Sequence, residues 1–347
     1  MINKLQLKAG VLLTVAILFT TFSFTGYQYF FTPNFLVDTD APKEAVVYIP
    51  HNATFQQVVD SLSKNDILHE KLSFGFVSKF LKYQKNIKPG RYIIPRNATN
   101  LIIVKKLRSG NQDPLNLTFN NIRTKKELAE KLANELEPTA EELLYLMNDS
   151  AFTASLGLDT NTITAIFIPN TYEFFWSVDA KEVFTRMKEE ADKFWNKERK
   201  AKAKTIGLSN AQVIILASIV EAETNQNSEK PTIAGVYLNR LKKHWPLQAD
   251  PTVKFAMHDF SIQRIIKAYT EVDSPYNTYK YLGLPPGPIN LPSITSIDAV
   301  LNYAKHDYMF FVADFDNPGY HTFSKDYRTH INNANAYRKE LNQRHIF

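Results

Sequence analysis

The amino-acid sequence predicts an α+β protein with an N-terminal transmembrane helix, a small α/β module and a larger mixed α+β domain. Three observations lead to this expectation: an uncharged apolar stretch near the N-terminus, a repeated Ile-Pro-x-Asn-Ala-Thr segment, and a series of helical patterns further on. The expected segments are residues 1–37 for a cytoplasmic tip and anchor, 38–112 for the small module and 113–347 for the large domain. A chain of 347 residues has room for about two domains.

The composition excludes several classes of protein. Hydrophobic residues make up 44% and charged residues 22%, as in ordinary globular proteins. The net charge of +6 is compatible with an anionic polymer or a membrane surface, but the basic residues form no stripe, so no nucleic-acid partner is expected. There is no cysteine, which excludes disulfides, Cys-ligated zinc and thiol catalysis.

The N-terminal stretch predicts a single membrane span. Residues 9–37 carry no charge, and about 20 apolar residues are enough to cross a bilayer. Aromatic residues, which favour the membrane interface, follow the apolar run at Tyr27, Tyr29, Phe30 and Phe31. Lys4 and Lys8 precede the run, so we expect a cytoplasmic N-terminus and an extracytoplasmic remainder. A cleaved signal peptide is the alternative, but no small-x-small cleavage site follows.

The small module contains two related segments. Residues 49–59 read IPHNATFQQVV and residues 94–104 read IPRNATNLIIV, an offset of 45 that predicts two strand-turn-helix units. Thr54 and Gln57 form a capping-box pattern at the first helix, and a further helix is expected over residues 72–83. Spacing alone favours a small structural module without a catalytic or binding function. The more specific alternative is a LysM-like unit that binds glycan.

One helix of the large domain combines an apolar run with two carboxylates. Ser209 and Gln212 form a capping-box pattern, residues 213–220 are almost entirely apolar, and Glu221 and Glu223 follow. A carboxyl group in apolar surroundings has a raised pKa, as a general acid needs near neutral pH. The alternative is that both glutamates emerge into solvent. Residues two apart lie about 200° around a helix, so the two cannot share one site equally, and periodicity does not choose between them.

Downstream segments rich in Asn, Gln, Thr, Tyr and stiff Pro/Gly turns suit a carbohydrate groove, because sugars need amide and hydroxyl partners held on rigid loops. For any one segment alone, an ordinary Pro-rich connection is the simpler interpretation. The sequence has no G-x-S-x-G motif, no Gly-rich phosphate loop and no H-E-x-x-H motif. We therefore expect neither a metal nor another cofactor.

The same segments resemble the endolytic murein transglycosylase family, also called YceG-like. The resemblance rests on five blocks in a fixed order, residues 216–224, 237–241, 247–253, 274–279 and 283–289. Residues 168–172 resemble a Pro-Asp-Thr-Tyr element of the family, with Asn170 in place of the acidic residue, which puts an acidic role there in doubt. Residues 319–323 and His330 also fit, so the resemblance covers roughly residues 40–340.

The resemblance implies a membrane anchor, a LysM-like glycan-binding module and a catalytic domain that faces the cell wall. It selects Glu221 as the catalytic acid/base of a lyase that cleaves peptidoglycan between MurNAc and GlcNAc by intramolecular transglycosylation. The product would carry a 1,6-anhydroMurNAc end, and the cleavage would terminate nascent strand elongation. The predicted substrate-binding residues are Glu223, Asn239, Gln248, Asp250, Thr252, Tyr276, Asn277 and Thr278.

The expected location is the cell inner membrane, with one pass and the catalytic domain in the periplasm. Expected partners are peptidoglycan glycan strands and, as further candidates, peptidoglycan synthases. A different class remains as an alternative: a membrane-tethered peptidoglycan-binding protein that cuts nothing and recruits wall synthases. A hydrolase that leaves reducing ends is a third possibility.

Overall fold

The chain begins with a long apolar helix, α1 (Lys4–Phe31), none of whose residues is buried. Its 28 residues extend about 42 Å, which exceeds the roughly 30 Å hydrocarbon core of a bilayer. The structure, a computed structural model, describes residues 4–38, 40–120 and 122–343. Residues 1–3, 39, 121 and 344–347, which fall inside the predicted segments, lie outside the described part. Within that part, α1 is the only single helix that has the length and apolar composition of a membrane span.

The chain divides into two units that interleave along the sequence. Unit 1 comprises Met1–Asn116, Glu135–Glu137 and Glu173–Val178, and unit 2 comprises Leu117–Asn134, Pro138–Tyr172 and Asp179–Phe347. The helices and strands of the two units together confirm a mixed α+β fold. The division predicted after residue 112 stays a prediction.

Unit 1 is built around a two-stranded antiparallel sheet of β2 (Glu44–Ile49) and β3 (Gly90–Pro95). The side chains that alternate inward along β2, such as Val47 and Ile49, pack into a common core with the helices of the unit. The remaining elements are β1 (Pro33–Phe35), α2 (Phe55–Ser63), α3 (Lys71–Phe80), β4 (Ala98–Thr99) and α4 (Asn100–Ser109). Short 3₁₀ turns lie at Lys64–Asp66 and Tyr83–Lys85.

The repeated segment forms two strand-turn-helix units, as predicted. In both copies the asparagine adopts a left-handed backbone conformation, with φ of 59° at Asn52 and 57° at Asn97. Asparagine tolerates this region better than most residues, so it can turn the chain directly after each strand. The threonine two residues later then caps the following helix: Thr54 accepts a hydrogen bond from the N–H of Gln57, and Thr99 from that of Ile102.

Unit 2 is mainly helical. Within it, β7 (Phe310–Ala313) pairs with β8 (His321–Ser324). Strands β5 (Leu115–Thr118) and β6 (Thr171–Phe174), which pair with each other, each belong partly to unit 1 and partly to unit 2. The helices that precede the core helix are α5 (Lys125–Glu135), α6 (Ala140–Asn148), α7 (Ser150–Ser155), α8 (Ala180–Phe194) and α9 (Lys197–Ile206). The helices that follow are α10 (Asn210–Glu223), α11 (Lys230–Lys242), α12 (Asp250–Ala256), α13 (Ile294–Leu301) and α14 (Tyr327–Gln343). Further 3₁₀ turns lie at Ile163–Ile166 and Lys267–Glu271.

Helix α10 is the core of unit 2. It opens with the predicted capping box of Ser209 and Gln212, and every residue from Val213 to Val220 is buried. Helices α11, α12 and α13 pack around it. An apolar helix surrounded in this way fixes the position of its own C-terminal end, where Glu221 and Glu223 lie.

Two helical glycines predict opposite effects of an added methyl group. A Cβ at Gly235 in α11 would lie within 2.5 Å of the Ala304 carbonyl oxygen, whereas a Cβ at Gly75 in α3 would meet nothing within 4 Å. We expect Gly235→Ala to lower the free energy of unfolding by about 1–3 kcal/mol through overpacking. The control, Gly75→Ala, should raise it by about 0.5–1 kcal/mol through helix propensity.

Denaturant unfolding of the detergent-solubilised chain measures both effects. Equal changes in the two variants would contradict the tight packing of α11 against the segment that contains Ala304.

Candidate active site

Glu221 lies at the C-terminal end of α10, and one of its two carboxylate oxygens receives all of its hydrogen bonds. The Ser293 hydroxyl donates to Oε2 at 2.5 Å, the Lys230 ammonium donates at 3.1 Å, and the Ser296 hydroxyl donates as well. The Ser293 backbone N–H approaches the same atom at 3.4 Å. Oε1 has no hydrogen-bond partner among the described residues, so this oxygen remains available to another molecule.

Ser293 and Ser296 reach Glu221 because α10 also positions the segment that carries them. The buried Ser218 hydroxyl accepts a hydrogen bond from the N–H of Ile289 at 3.0 Å, and the Ser218 carbonyl accepts one from the Asn290 amide at 2.8 Å. The chain then reaches Ser293, which is the N-cap of α13. The carboxylate thus faces the N-terminus of a helix, where the helix dipole favours negative charge.

The pKa of Glu221 lies below its ordinary value of 4.5. Burial by itself would raise the pKa, but the hydrogen bonds from Ser293, Ser296 and Lys230, together with the Lys230 charge, outweigh it. The expectation of a raised pKa at Glu221 is therefore wrong. It treated the helix end as apolar surroundings, whereas α11 and α13 bring polar donors to it.

Glu221 borders a cavity of ≈ 360 Å³ whose lining belongs to unit 2. Its other lining residues are Asn120, Arg123, Pro169, Ala222, Asn225, Pro251, Lys254, Phe260, Ile289, Asn290, Leu291 and Ser293. Glu221 is the one carboxylate in this set of described residues. Amides, two cations and an aromatic ring accompany it, and the Arg123 guanidinium lies 4.8 Å from the centre of the Phe260 ring. Such a lining suits a polar ligand with hydroxyl, amide and anionic groups.

Glu223 borders a second cavity, of ≈ 230 Å³, together with Gln248 and Asp250. The Tyr237 hydroxyl donates to Glu223 at 2.5 Å, and the Tyr279 hydroxyl donates to Asp250 at 2.5 Å. Although Glu223 as a residue is only partly buried, protein atoms enclose its carboxyl group. The two glutamates, which lie about 200° apart around the helix, therefore line different cavities.

Burial raises the pKa of Glu223 to about 7, and the nearby Asp250 charge adds to this effect. The hydrogen bond from Tyr237 and the charge of Arg240 offset it only in part. The high-pKa carboxyl that the sequence predicts at the end of α10 is thus present, but at Glu223.

Several other predicted binding residues take part in internal hydrogen bonds. The buried Thr252 and Thr278 hydroxyls lie 2.8 Å apart, and the buried Asn277 amide donates to the carbonyls of Thr270 and Val272. The Asn239 amide donates to the carbonyls of His306 and Tyr308.

The Tyr276 ring packs against the Phe255 ring at a tilt of 46°, with ring centres 4.7 Å apart. Gln248 is exposed and has a left-handed φ of 50°. Contacts with substrate at the eight predicted binding residues stay a prediction.

Sequence reasoning did not find three of the groups nearest to Glu221: Lys230, Ser293 and Ser296. Ser293 and Ser296 have the spacing of a helix cap, a signal that by itself indicates only a helix start. Lys230 is 3% exposed, and a lysine is almost never buried unless it is paired. Its burial, which the sequence does not reveal, is the feature that distinguishes Lys230 as a residue of the site. No group of three or more potential metal ligands occurs in the part of the chain that the structure describes.

Comparison with known proteins assigns the chain to a family. The sequence profile of the YceG-like family matches residues 47–336. The chain belongs to the YceG-like family. This confirms the resemblance seen in the sequence, and the matched range includes both cavities.

Two curated relatives carry the name endolytic murein transglycosylase. The one from Streptococcus pneumoniae serotype 2 (strain D39) is 27% identical over 319 residues, which cover 83% of this chain and 58% of the relative. The one from Bacillus subtilis (strain 168) is 26% identical over 323 residues and is covered to 89%, as is this chain. The chain thus spans little more than half the length of the pneumococcal relative.

A solved structure has the same fold. The 2.6 Å crystal structure of a putative YceG-like protein from Listeria monocytogenes is 28% identical, with a TM-score of 0.56. The match covers 84% of this chain and 98% of the Listeria chain.

The raised pKa of Glu223 predicts a pH-dependent effect on stability. The folded-state pKa of about 7 lies above the ordinary value of 4.5, so the folded chain binds more protons than the unfolded chain between these pH values. Stability should therefore fall as the pH rises from about 4.5 to 7. Glu223→Gln, which cannot ionise, removes this loss. We expect the free energy of unfolding of the variant, relative to that of wild type, to increase by up to about 3 kcal/mol as the pH rises from 4 to 8.

Unfolding free energies of both proteins at the two pH values measure this difference. Glu198→Gln, an exposed substitution on α9, is the control and should show no such gain. A constant difference between Glu223→Gln and wild type across the range would contradict a raised pKa.

Proposed function

We propose that this protein is a membrane-anchored endolytic murein transglycosylase with Glu221 as its acid/base. The observation that carries the proposal is a single carboxylate in a polar cavity, held through Oε2 and open at Oε1. Glycosidases that hydrolyse by the usual routes need two carboxyl groups across the scissile bond. One carboxyl group is sufficient where the substrate supplies its own nucleophile. The names of the curated relatives support the same reaction class.

In the proposed reaction, protonated Glu221 donates from Oε1 to the oxygen that links MurNAc to GlcNAc, and the bond from that oxygen to the MurNAc C1 breaks. The resulting carboxylate then takes the proton of the MurNAc C6 hydroxyl, whose oxygen bonds to C1. The products are a 1,6-anhydroMurNAc end and a new GlcNAc hydroxyl. No water is consumed, and Glu221 ends protonated, ready for another cleavage.

The donors on Oε2 suit the second half of this cycle, because they stabilise the carboxylate that must act as a base. For the first half, Glu221 must gain a proton although its pKa in the structure is low. Substrate in the cavity excludes water from the carboxylate, which increases the desolvation that raises the pKa. Asn120, Asn225 and Asn290 offer amides for N-acetyl and hydroxyl groups, and Arg123 and Lys254 offer cations for carboxylates of the peptide stem.

The remaining parts of the chain fit a role at the cell wall. We propose that α1 spans the inner membrane once, with a cytoplasmic N-terminus and the rest of the chain in the periplasm. The two-stranded sheet and helices of unit 1 would then form a LysM-like module that holds the glycan strand. Cleavage close to the membrane would terminate the elongation of nascent strands, and peptidoglycan synthases are the partners expected there.

Replacement of the acid/base tests the reaction directly. We expect Glu221→Gln to lower the rate of cleavage by about 10²–10⁴-fold, because the amide can neither donate nor accept the proton. Mass spectrometry of the products from purified peptidoglycan checks this, with wild type expected to release anhydroMurNAc ends. Glu198→Gln is the matched control and should retain wild-type activity.

Anhydro products from Glu221→Gln at the wild-type rate would reject Glu221 as the acid/base. Reducing ends from wild type would indicate a hydrolase. The absence of any cleavage by a folded wild-type protein that still binds peptidoglycan would favour the non-catalytic recruiting role.

The contact between Lys230 and Glu221 leads us to predict how the pH profile of kcat/KM changes when Lys230 is replaced. Lys230→Met removes a charge that lowers the pKa of Glu221, so the pKa should rise. Since the acid must be protonated to start the reaction, the decline of kcat/KM on the alkaline side should move to higher pH. The exposed Lys200→Met on α9 is the control. An unchanged profile in a folded Lys230→Met protein would show that Lys230 does not govern the acid.

A further inference from the structure

The outer side of α3 carries an apolar stripe, which we define as Leu72, Phe76 and Phe80. These side chains are 78%, 44% and 66% exposed, respectively. Their spacing of four residues places them along one side of the helix, while Phe74 and Val77 on the other side belong to the core of unit 1. Large apolar residues aligned and exposed in this way indicate an interaction surface.

The stripe is continuous with the end of α1. The Phe76 ring lies 5.5 Å from the ring of Tyr29 and 6.4 Å from that of Phe30, measured between ring centres. The Phe80 ring lies 5.3 Å from that of Phe30. The Asn100 amide also donates to the carbonyl of Tyr29 at 2.9 Å, which fixes the end of α1 to α4. The last turn of α1 thus packs against α3 and α4 of the same unit, with the stripe beside it.

The position of these contacts along α1 sets their depth in a bilayer. The uncharged run starts after Lys8, and about 20 residues at 1.5 Å each cross the hydrocarbon core. A span that starts there ends near residue 28, so Tyr29 and Phe30 lie at the interface, where aromatic side chains are favoured. Phe76 and Phe80 contact these residues and must lie at the same level.

Charges beside the stripe suit a phospholipid surface. Lys71, Lys79 and Lys82 are exposed on α3 and just after its end. A helix with an apolar side flanked by lysines is typical of segments that lie in the interface of membranes with anionic lipids. Each basic residue near such a surface adds to the attraction.

We propose that the α3 stripe inserts into the interface of the same bilayer that α1 spans, on the extracytoplasmic side. Helix α3 is then a second membrane contact of unit 1, beside α1. The occupant of the stripe is the acyl and headgroup boundary of a leaflet that contains anionic phospholipid. This inference rests on the proposed membrane span of α1.

The absence of cysteine permits a test with single spin labels on the full-length chain. Leu72→Cys and Phe80→Cys place labels on the stripe, and Leu18→Cys places one within α1. Val46→Cys, on the outward side of β2 and 38% exposed, is the matched apolar control in unit 1. Each labelled chain is reconstituted into vesicles of phosphatidylethanolamine and phosphatidylglycerol. Accessibility to oxygen, which partitions into lipid, is compared with accessibility to a water-soluble nickel complex.

We expect the ratio of oxygen to nickel accessibility to be highest at Leu18, intermediate at Leu72 and Phe80, and lowest at Val46. Ratios at Leu72 and Phe80 equal to that at Val46, with a high ratio at Leu18, would overturn the stripe as a membrane contact and leave the span intact. A low ratio at Leu18 would overturn both. Dipolar broadening between labels at Phe80, with low oxygen accessibility, would instead indicate that a second copy of the chain covers the stripe.

Discussion

The convergence of donors on one oxygen of Glu221 is the interaction on which the candidate site depends. A carboxylate at the end of a buried apolar helix is costly unless its charge is paired. Here the N-terminus of α13 and the buried ammonium of Lys230 supply that pairing, and they do so on Oε2. The other oxygen has no hydrogen-bond partner among the described residues and borders the cavity. The hydrogen bonds that stabilise the charge and the oxygen open to a ligand thus involve two different atoms of one side chain.

The same arrangement explains why the two glutamates of α10 have opposite properties. Glu221 faces donors and a cation, which lower its pKa. Glu223 faces tyrosines, the Asp250 carboxylate and aromatic rings, which leave the desolvation of its carboxyl group dominant. Two residues on one helix, one turn or less apart, therefore have pKa values shifted in opposite directions. The helix core sets their positions, and the neighbouring helices set their chemistry.

The small unit shows how a short repeated sequence builds a module. Each copy ends a strand, turns the chain at an asparagine and caps the next helix with a threonine. The two copies together give the sheet β2–β3 and two of the helices that cover it. The third helix, α3, contributes its inner side to this core, and its outer side continues the apolar surface of α1.

The sequence by itself determined features that depend on neighbours in the chain. The apolar helix α1, the two strand-turn-helix units, the capping box of α10 and the separation of Glu221 from Glu223 all follow from local pattern. The family resemblance, which rests on ordered sequence blocks, selected Glu221. The tertiary structure alone decided what surrounds each carboxylate, because Lys230, Ser293 and Ser296 are 9, 72 and 75 residues from Glu221 along the chain. A pKa depends on solvation and charge within a few ångströms, and pattern along the chain does not specify which distant residues meet there.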